Sequence, residues 1–362
     1  MTYVNLKSIR NLTARGFLFA LALAVLPFAG SDFELRTESV IGDSATAVAE
    51  FKKAMKLKDA GDLAGAIAHL KKAVKADPRF SEGHYNLGIL LEKAGDRGAA
   101  MQHYRLALKH GGKNADALNN LGLLQLTRGD YTRASRNLRK ALKLKPKAAY
   151  IHNNLGLLNF KRNRIVRAKR YYRKALKLDP KLAGAHYNMG NLYRAQADMD
   201  RAIPYYVKAI ELKPGYGKYH YTLAVAYRRS LQPKKAITQY EAAIKANPEH
   251  FQSRFHVGVL LLRVGQYDRA RTHLEGAKKL RPKSAAVHNA LGVVYLREKK
   301  YDEAVKILKE AIRLNPRNGN YHNYLGSAYY KKGDEKSAVR HFKKGCRLGN
   351  TQACSNAKSI GG

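Results

Sequence analysis

The same few residue types return every 34 positions along this chain. Pro78, Pro146, Pro180, Pro214, Pro248, Pro282 and Pro316 hold one register, with Gly112 at its single gap. Ala66, Ala100, Ala134, Ala168, Ala202, Ala236, Ala270, Ala304 and Ala338 hold a second without a gap. Gly88, Gly122, Gly156, Gly190, Gly258, Gly292 and Gly326 form a third, filled in by Ala54 and Ala224. A fourth is large and apolar: Leu70, Tyr104, Leu138, Tyr172, Tyr206, Tyr240, Leu274, Leu308 and Phe342. A fixed period of this length means stacked supersecondary units, none of which buries its apolar face alone. The usual expectation of two or three globular domains for 362 residues therefore does not apply.

Elementary sterics turn the registers into a helix pair. Small residues let two antiparallel helices approach closely, and the large residue four positions after each Ala lies on the same helix face and fills the space. Pro ends the second helix, because it has no N–H and clashes with the preceding turn. Gly61, Gly95, Gly129, Gly265 and Gly333 fall between the helices, where a left-handed residue is wanted, and Asp62, Asp96, Asp130 and Asp334 follow as N-caps. The pattern predicts an all-α solenoid of nine helix–turn–helix units at 47–80, 81–114, 115–148, 149–182, 183–216, 217–250, 251–284, 285–318 and 319–352. Residues 31–46 read as a mildly acidic linker and 353–362 as a C-terminal cap.

The pattern resembles the tetratricopeptide repeat (TPR) family. Unit four carries the signature as Leu155-Gly156, Ala168, Tyr172, Ala175 and Pro180, and the resemblance spans all nine units. Two departures stand out: the family's usual Trp early in helix A is absent, and unit one has Lys53-Ala54 in place of Leu-Gly, as a worn cap would. The resemblance implies a right-handed superhelix in which helix A of each unit lines a concave groove and helix B lies mostly outside.

The start of the chain is different in kind. Lys7, Arg10 and Arg15 precede an apolar run from Gly16 to Gly30, the order of a secretory signal. That run is shorter than the roughly 20 residues that cross a bilayer comfortably. A cleaved signal peptide at 1–30, an uncleaved N-terminal membrane anchor and a cytosolic protein all stay open. Export is the reading taken forward, to the periplasm or to the inner-membrane surface.

Within the implied groove the asparagines are the clearest candidates. Asn86, Asn120, Asn154 and Asn188 share one helix A position; Asn119, Asn153, Asn289 and Asn323 share the position before it. Asn is a poor helix-interior residue, yet its amide donates and accepts, as the backbone of an extended peptide requires. The ladder is similar to that in the repeat domain of the O-linked N-acetylglucosamine transferases, which implies sequence-tolerant peptide binding. A frequent His-x-Asn-Leu-Gly helix sequence is the competing explanation. Tyr85, Tyr187, Tyr221 and Phe255 add apolar and stacking surface to the same face.

Catalytic and metal chemistry find little support. His84, His152, His186, His220, His288 and His322 recur at one repeat position, on helices whose axes lie roughly 8–10 Å apart, too far to share an ion. They read as aromatics with a polar tip. There is no nucleophile elbow, phosphate loop or zinc-protease motif. The reading is a non-enzyme without cofactor or metal.

Charge supplies the rival reading. Lys+Arg number 68 against 27 Asp+Glu, a net +41 that bears on partners and solubility. Helix B carries equivalent pairs at Lys71/Lys75, Arg105/Lys109, Arg139/Lys143 and Arg173/Lys177, a basic stripe that ends at Val207/Glu211. It serves either as a solvated face or as an attachment to anionic lipid or acidic surface polymer; the leader and the lack of base-reading context count against nucleic acid.

Cys346 and Cys354 are the only cysteines. The stretch around them resembles exported cysteine-rich helical-repeat proteins, and that resemblance implies a disulfide across the inter-repeat turn; two reduced buried thiols are the alternative. The sequence thus points to a protein-interaction scaffold of a cell-envelope assembly that holds an extended polypeptide in its groove.

Overall fold

The computed structural model describes the backbone of residues 32–361 and the side chains of residues 43–360. The leader at 1–30 lies outside them. The described residues form helices joined by short turns: α1 Asp32–Asp59, α2 Leu63–Ala76, α3 Ser81–Lys93, α4 Arg97–Gly111, α5 Ala115–Thr127, α6 Tyr131–Leu144, α7 Ala149–Lys161, α8 Ile165–Leu178, α9 Ala183–Ala195, α10 Met199–Leu212, α11 Gly217–Arg229, α12 Pro233–Ala246, α13 Phe251–Arg263, α14 Tyr267–Leu280, α15 Ala285–Arg297, α16 Tyr301–Leu314, α17 Gly319–Lys332, α18 Glu335–Arg347 and α19 Thr351–Gly361. Odd-numbered helices are the A helices of the repeat and even-numbered ones the B helices. The fold is an all-α repeat solenoid, and the chain divides into two compact units, Met1–Ala117 and Leu118–Gly362.

One segment departs from the sequence reading. The stretch read as a linker, 31–46, is helical from Asp32 and forms the first part of α1 without a break. It contains no Pro, and Gly42 alone does not stop a helix.

The core is the small–large lock that the registers describe. All nine register alanines, from Ala66 to Ala338, are fully buried, as are Leu70, Tyr104, Leu138, Tyr172, Tyr206, Tyr240, Leu274 and Leu308. Where an A helix carries the register glycine, it gives the large side chain its place: a Cβ added at Gly156 would lie 2.5 Å from the Tyr172 ring, and one at Gly190 would lie 2.6 Å from that of Tyr206. Burying a side chain of this size is worth roughly 1.5–3 kcal/mol.

The turns between A and B helices need a left-handed residue at one fixed place. Glycine fills it at Gly61, Gly95, Gly129, Gly265 and Gly333, but Asn163, Ala197, Leu231 and Lys299 take the same positive φ at the other turns. The expected caps form: Asp62, Asp96, Asp130 and Asp334 each accept from the backbone N–H three residues on, and Asp198 does the same.

Candidate functional site

In the first compact unit, Tyr85 and Asn86 are half-buried on α3. Asn86 Nδ2 donates to Glu82 O of its own helix at 2.9 Å. Burial raises the Tyr85 phenol to about 12, with the Asp116 charge adding to it, so this ring stays neutral.

In the second unit the two asparagine positions meet across neighbouring A helices. Asn154 Nδ2 on α7 donates to Asn119 Oδ1 on α5 at 2.8 Å, and Asn188 Nδ2 on α9 donates to Asn153 Oδ1 on α7 at 2.9 Å. One helix further, Tyr187 Oη and Thr222 Oγ1 repeat the pairing at 3.3 Å. Within helices, Asn119 Nδ2 donates to Asn120 Oδ1 at 3.1 Å. Asn119 and Asn154 are buried, whereas Asn120, Asn153 and Asn188 keep partly open surface. The amides therefore stitch successive A helices, and each stitched amide retains hydrogen-bonding capacity beyond the bond it makes. At the far end of the series Asn323 Oδ1 accepts from Asn356 Nδ2 at 3.0 Å, while Asn289 Oδ1 is buried with no hydrogen-bond partner.

Beside the stitched amides runs a series of rings. Tyr187 stacks on Tyr219 at 4.8 Å between centroids, and Tyr216 meets Tyr219 edge-on at 4.6 Å. Tyr221 lies 4.8 Å from the His250 ring, and Phe255 stacks with Phe251 at 6.1 Å. Tyr187, Tyr221 and Phe255 are half-buried on three consecutive A helices, α9, α11 and α13. Cations overlie two of these rings, Lys218 at 5.5 Å from Tyr187 and Arg281 at 4.1 Å from Phe251. Tyr216, Tyr219 and Phe251 were not among the sequence candidates. Their signal was there, since each sits at or within the first turn of an A helix, close to a residue that was.

The recurrent histidines have a structural use the sequence did not disclose. His152 and His186 each place Nε2 against the carbonyl of the proline six residues earlier, Pro146 at 2.9 Å and Pro180 at 2.8 Å. His84, His220 and His322 do the same at Pro78, Pro214 and Pro316. The inter-repeat turn thereby gains a donor for the carbonyl of a proline that lies just beyond the end of helix B. His288 departs, bonding Ser284 O through Nδ1 at 3.0 Å. Among the described residues no group of three or more His, Cys, Asp or Glu is placed to hold a metal ion.

On the B helices, Lys71, Lys75, Arg105 and Lys109 are exposed in the first unit, and Arg139, Lys143, Arg173 and Lys177 in the second. Cys346 and Cys354 are joined in a disulfide. Among the described residues no helix is long and apolar enough to cross a membrane.

Comparison with known proteins agrees with this architecture. Models of the tetratricopeptide repeat match residues 56–95 and 119–183, and a model of the C-terminal domain of cilia and flagella-associated protein 70, itself a TPR model, matches residues 181–357. Among solved structures the chain is similar to PilF of Pseudomonas aeruginosa, at 23% identity over 59% of this chain and 97% of that chain, with a TM-score of 0.51. It is also similar to YrrB, described as a TPR protein with an unusual peptide-binding site, at 27% identity over 49% of this chain and 92% of that one, with a TM-score of 0.47. MamA of Desulfovibrio magneticus RS-1 matches at 24% identity over 46% of this chain and 94% of that one, with a TM-score of 0.44. No curated protein matches the sequence. The chain belongs to the tetratricopeptide repeat family.

Proposed function

We propose that this chain is a non-catalytic interaction scaffold that holds an extended polypeptide segment along the A-helix face of its second compact unit. The observation that carries the reading is the run of half-buried rings on consecutive A helices, Tyr187, Tyr221 and Phe255, adjoining the partly open amides of Asn120, Asn153 and Asn188. Aromatic side chains offer large contact area at low entropic cost, and an amide that both donates and accepts suits a peptide backbone. Alternating apolar and amide surface is what a strand-like ligand presents in return, with side chains on one side and N–H and C=O groups between them.

The basic-then-apolar start and the Cys346–Cys354 bridge support an exported setting, periplasmic or tethered to the inner membrane, and with it a partner in an envelope assembly. Peptides selected from a random display library on the wild-type chain should lose about tenfold or more in affinity for Tyr187→Ala/Tyr221→Ala/Phe255→Ala, since buried aromatic anchors dominate such interfaces. Helicity should be unchanged, because Ala is the better helix former. Equal binding to both proteins would reject the groove.

A further inference from the structure

A concentration of positive charge in the second unit lies where two B helices meet the end of the A helix α7. Arg139, Arg162, Arg164, Arg167 and Arg170 converge on a cleft of about 500 Å3 formed by α6, the end of α7 and the start of α8. Leu155, Leu158, Val166 and Tyr171 supply its apolar lining, with Ser135 and Asn159 as neutral polar groups. An adjoining depression shares Ser135, Arg139 and Arg162 and adds Arg136, Lys140 and Lys143. No carboxylate lines either one.

Some arginines elsewhere in the chain are paired with carboxylates. Arg201 is bridged to Asp198, Arg271 to both Asp268 and Glu298, and Arg313 to Glu310. Among the described residues none of the five cleft arginines makes an ion pair. Their mutual repulsion is felt locally: the Arg162 guanidinium, partial desolvation, and then Arg167 and Arg139 hold Arg164 below the ordinary arginine range. A cleft with low-dielectric walls and one sign of charge concentrates the field and the counter-ion.

The sequence also places a cation where five other B helices have a capping acid, as it does again at Lys300. Asp62, Asp96, Asp130, Asp198 and Asp334 cap their B helices with a side-chain carboxylate; the equivalent residue of α8 is Arg164, which makes no side-chain cap bond. The acid that would have accepted from the first turn of α8 is replaced by a further cation facing the same cleft.

We propose that this cleft binds a multiply charged tetrahedral oxyanion of the phosphate class, held by the forked guanidinium groups of Arg139, Arg162, Arg164 and Arg167. Guanidinium forks match phosphate oxygens in pairs. A single carboxylate carries too little charge to balance five cations, whereas a phosphoryl or pyrophosphoryl group brings several oxygens and more than one charge. The ligand is a free phosphate or the phosphate of a lipid headgroup, which share this chemistry. The inference stands apart from peptide binding, which concerns Tyr187, Tyr221, Phe255 and the amides of Asn120, Asn153 and Asn188, none of which lines the cleft.

Inorganic pyrophosphate titrated into the full chain at fixed ionic strength, followed by calorimetry, tests it. Wild type should bind, and Arg164→Asp should lower the affinity by about tenfold or more, the loss expected for removing a charge-assisted contact and adding a repulsive one. Arg164→Asp introduces the cap found at five of the other B helices, so its thermal midpoint should be at or above that of wild type, which separates lost binding from lost fold. Arg263→Glu makes the same change in charge at an exposed position outside both the cleft and the stripe and should alter affinity by less than about threefold, as a screened surface charge does. No binding to wild type, or an equal loss in both variants, would overturn the site in favour of a diffuse field. Competition by phosphatidylglycerol vesicles, with phosphatidylcholine vesicles as control, identifies a headgroup as the source; lack of competition identifies a soluble phosphate.

Discussion

Asn154 donates through Nδ2 to Asn119 Oδ1 at 2.8 Å, joining two A helices across 35 residues of sequence. Both side chains are buried, at 8% and 4% exposure, so removing either leaves the other amide with an unmet group away from water. Asn154→Ala should therefore destabilise by about 1–2 kcal/mol, more than Ala returns in helix propensity. Asn119→Ala/Asn154→Ala should cost less than the sum of the single changes, because the double variant leaves no orphaned partner. Urea unfolding of the four proteins measures the coupling, and strictly additive costs would mean the stitch contributes nothing.

This pair also shows where the sequence stops being informative. The period fixes which positions are equivalent, and so the Ala and Tyr172-type registers, the Asp caps and the glycine locks were all legible. It does not fix how one helix pair is rotated against the next. Asn119 and Asn120 are adjacent in sequence and therefore about 100° apart around one helix; which of them turns toward the neighbouring A helix depends on that rotation. The same holds for the cleft arginines. Arg162 and Arg164 sit in a turn, Arg167 and Arg170 on α8 and Arg139 on α6, and only tertiary packing brings them to one place. The stripe, read from i, i+4 spacing on helix B alone, shares Arg139 and Lys143 with these depressions but not Arg173 or Lys177.

Leu231 holds the turn between α11 and α12 at φ 55° with 88% of its surface exposed. A bulky residue in this region pays a steric cost of roughly 1–2 kcal/mol that glycine does not. Leu231→Gly should stabilise the chain by about 0.5–1 kcal/mol, the unfolded-state entropy of glycine offsetting part of the gain. Leu231→Val should do the reverse, since β-branching is worse still at positive φ. A lower denaturation midpoint for Leu231→Gly would show that Leu231 makes contacts worth more than its strain.

Acid should loosen the ends of the array through paired histidines. His322 Nδ1 lies 3.1 Å from His341 Nδ1, and His84 Nδ1 lies 2.9 Å from His103 Nδ1. With each Nε2 of His322 and His84 turned to a proline carbonyl, one Nδ1 of each pair must accept, so the pair holds one proton between the two nitrogens. Burial, then His322, then Arg340 and Lys309 lower His341 to about 4; burial likewise lowers His322, with Lys344 adding to it and the Pro316 bond opposing. Burial lowers His84 and His103 as well, His103 further through His84 and Lys71. A folded value below the unfolded 6.5 means that the unfolded chain binds more protons as pH falls. Stability should be full above about pH 6.5 and decline toward about pH 4. Urea midpoints taken across that window should fall, and His341→Gln should flatten the decline. An unchanged pH profile in that variant would exclude the pair as its source.

The disulfide at the C-terminal end should act locally. Cys346 lies on α18 and Cys354 on α19, the one A helix here with no B helix following it among the described residues. Beyond the bridge, α19 is held by fully buried Ala353 packed with Phe342 and Ala338, by Asn350 Oδ1 accepting from Ala353 N, and by the Asn356–Asn323 bond. Closing a loop of eight residues removes about 2–3 kcal/mol of unfolded-state entropy at most. In a repeat array that stabilisation falls on the terminal unit, because each unit couples only to its neighbours. Cys346→Ser/Cys354→Ser should therefore lower hydrogen-exchange protection of the α19 amides by about 30- to 150-fold, the factor that 2–3 kcal/mol corresponds to. Protection of the α9–α14 amides should be unchanged. If α19 keeps its protection, its own packing suffices and the bridge adds nothing to it. If the whole second unit loses protection together, the end is not a separately opening segment, and the bridge stabilises every repeat behind it.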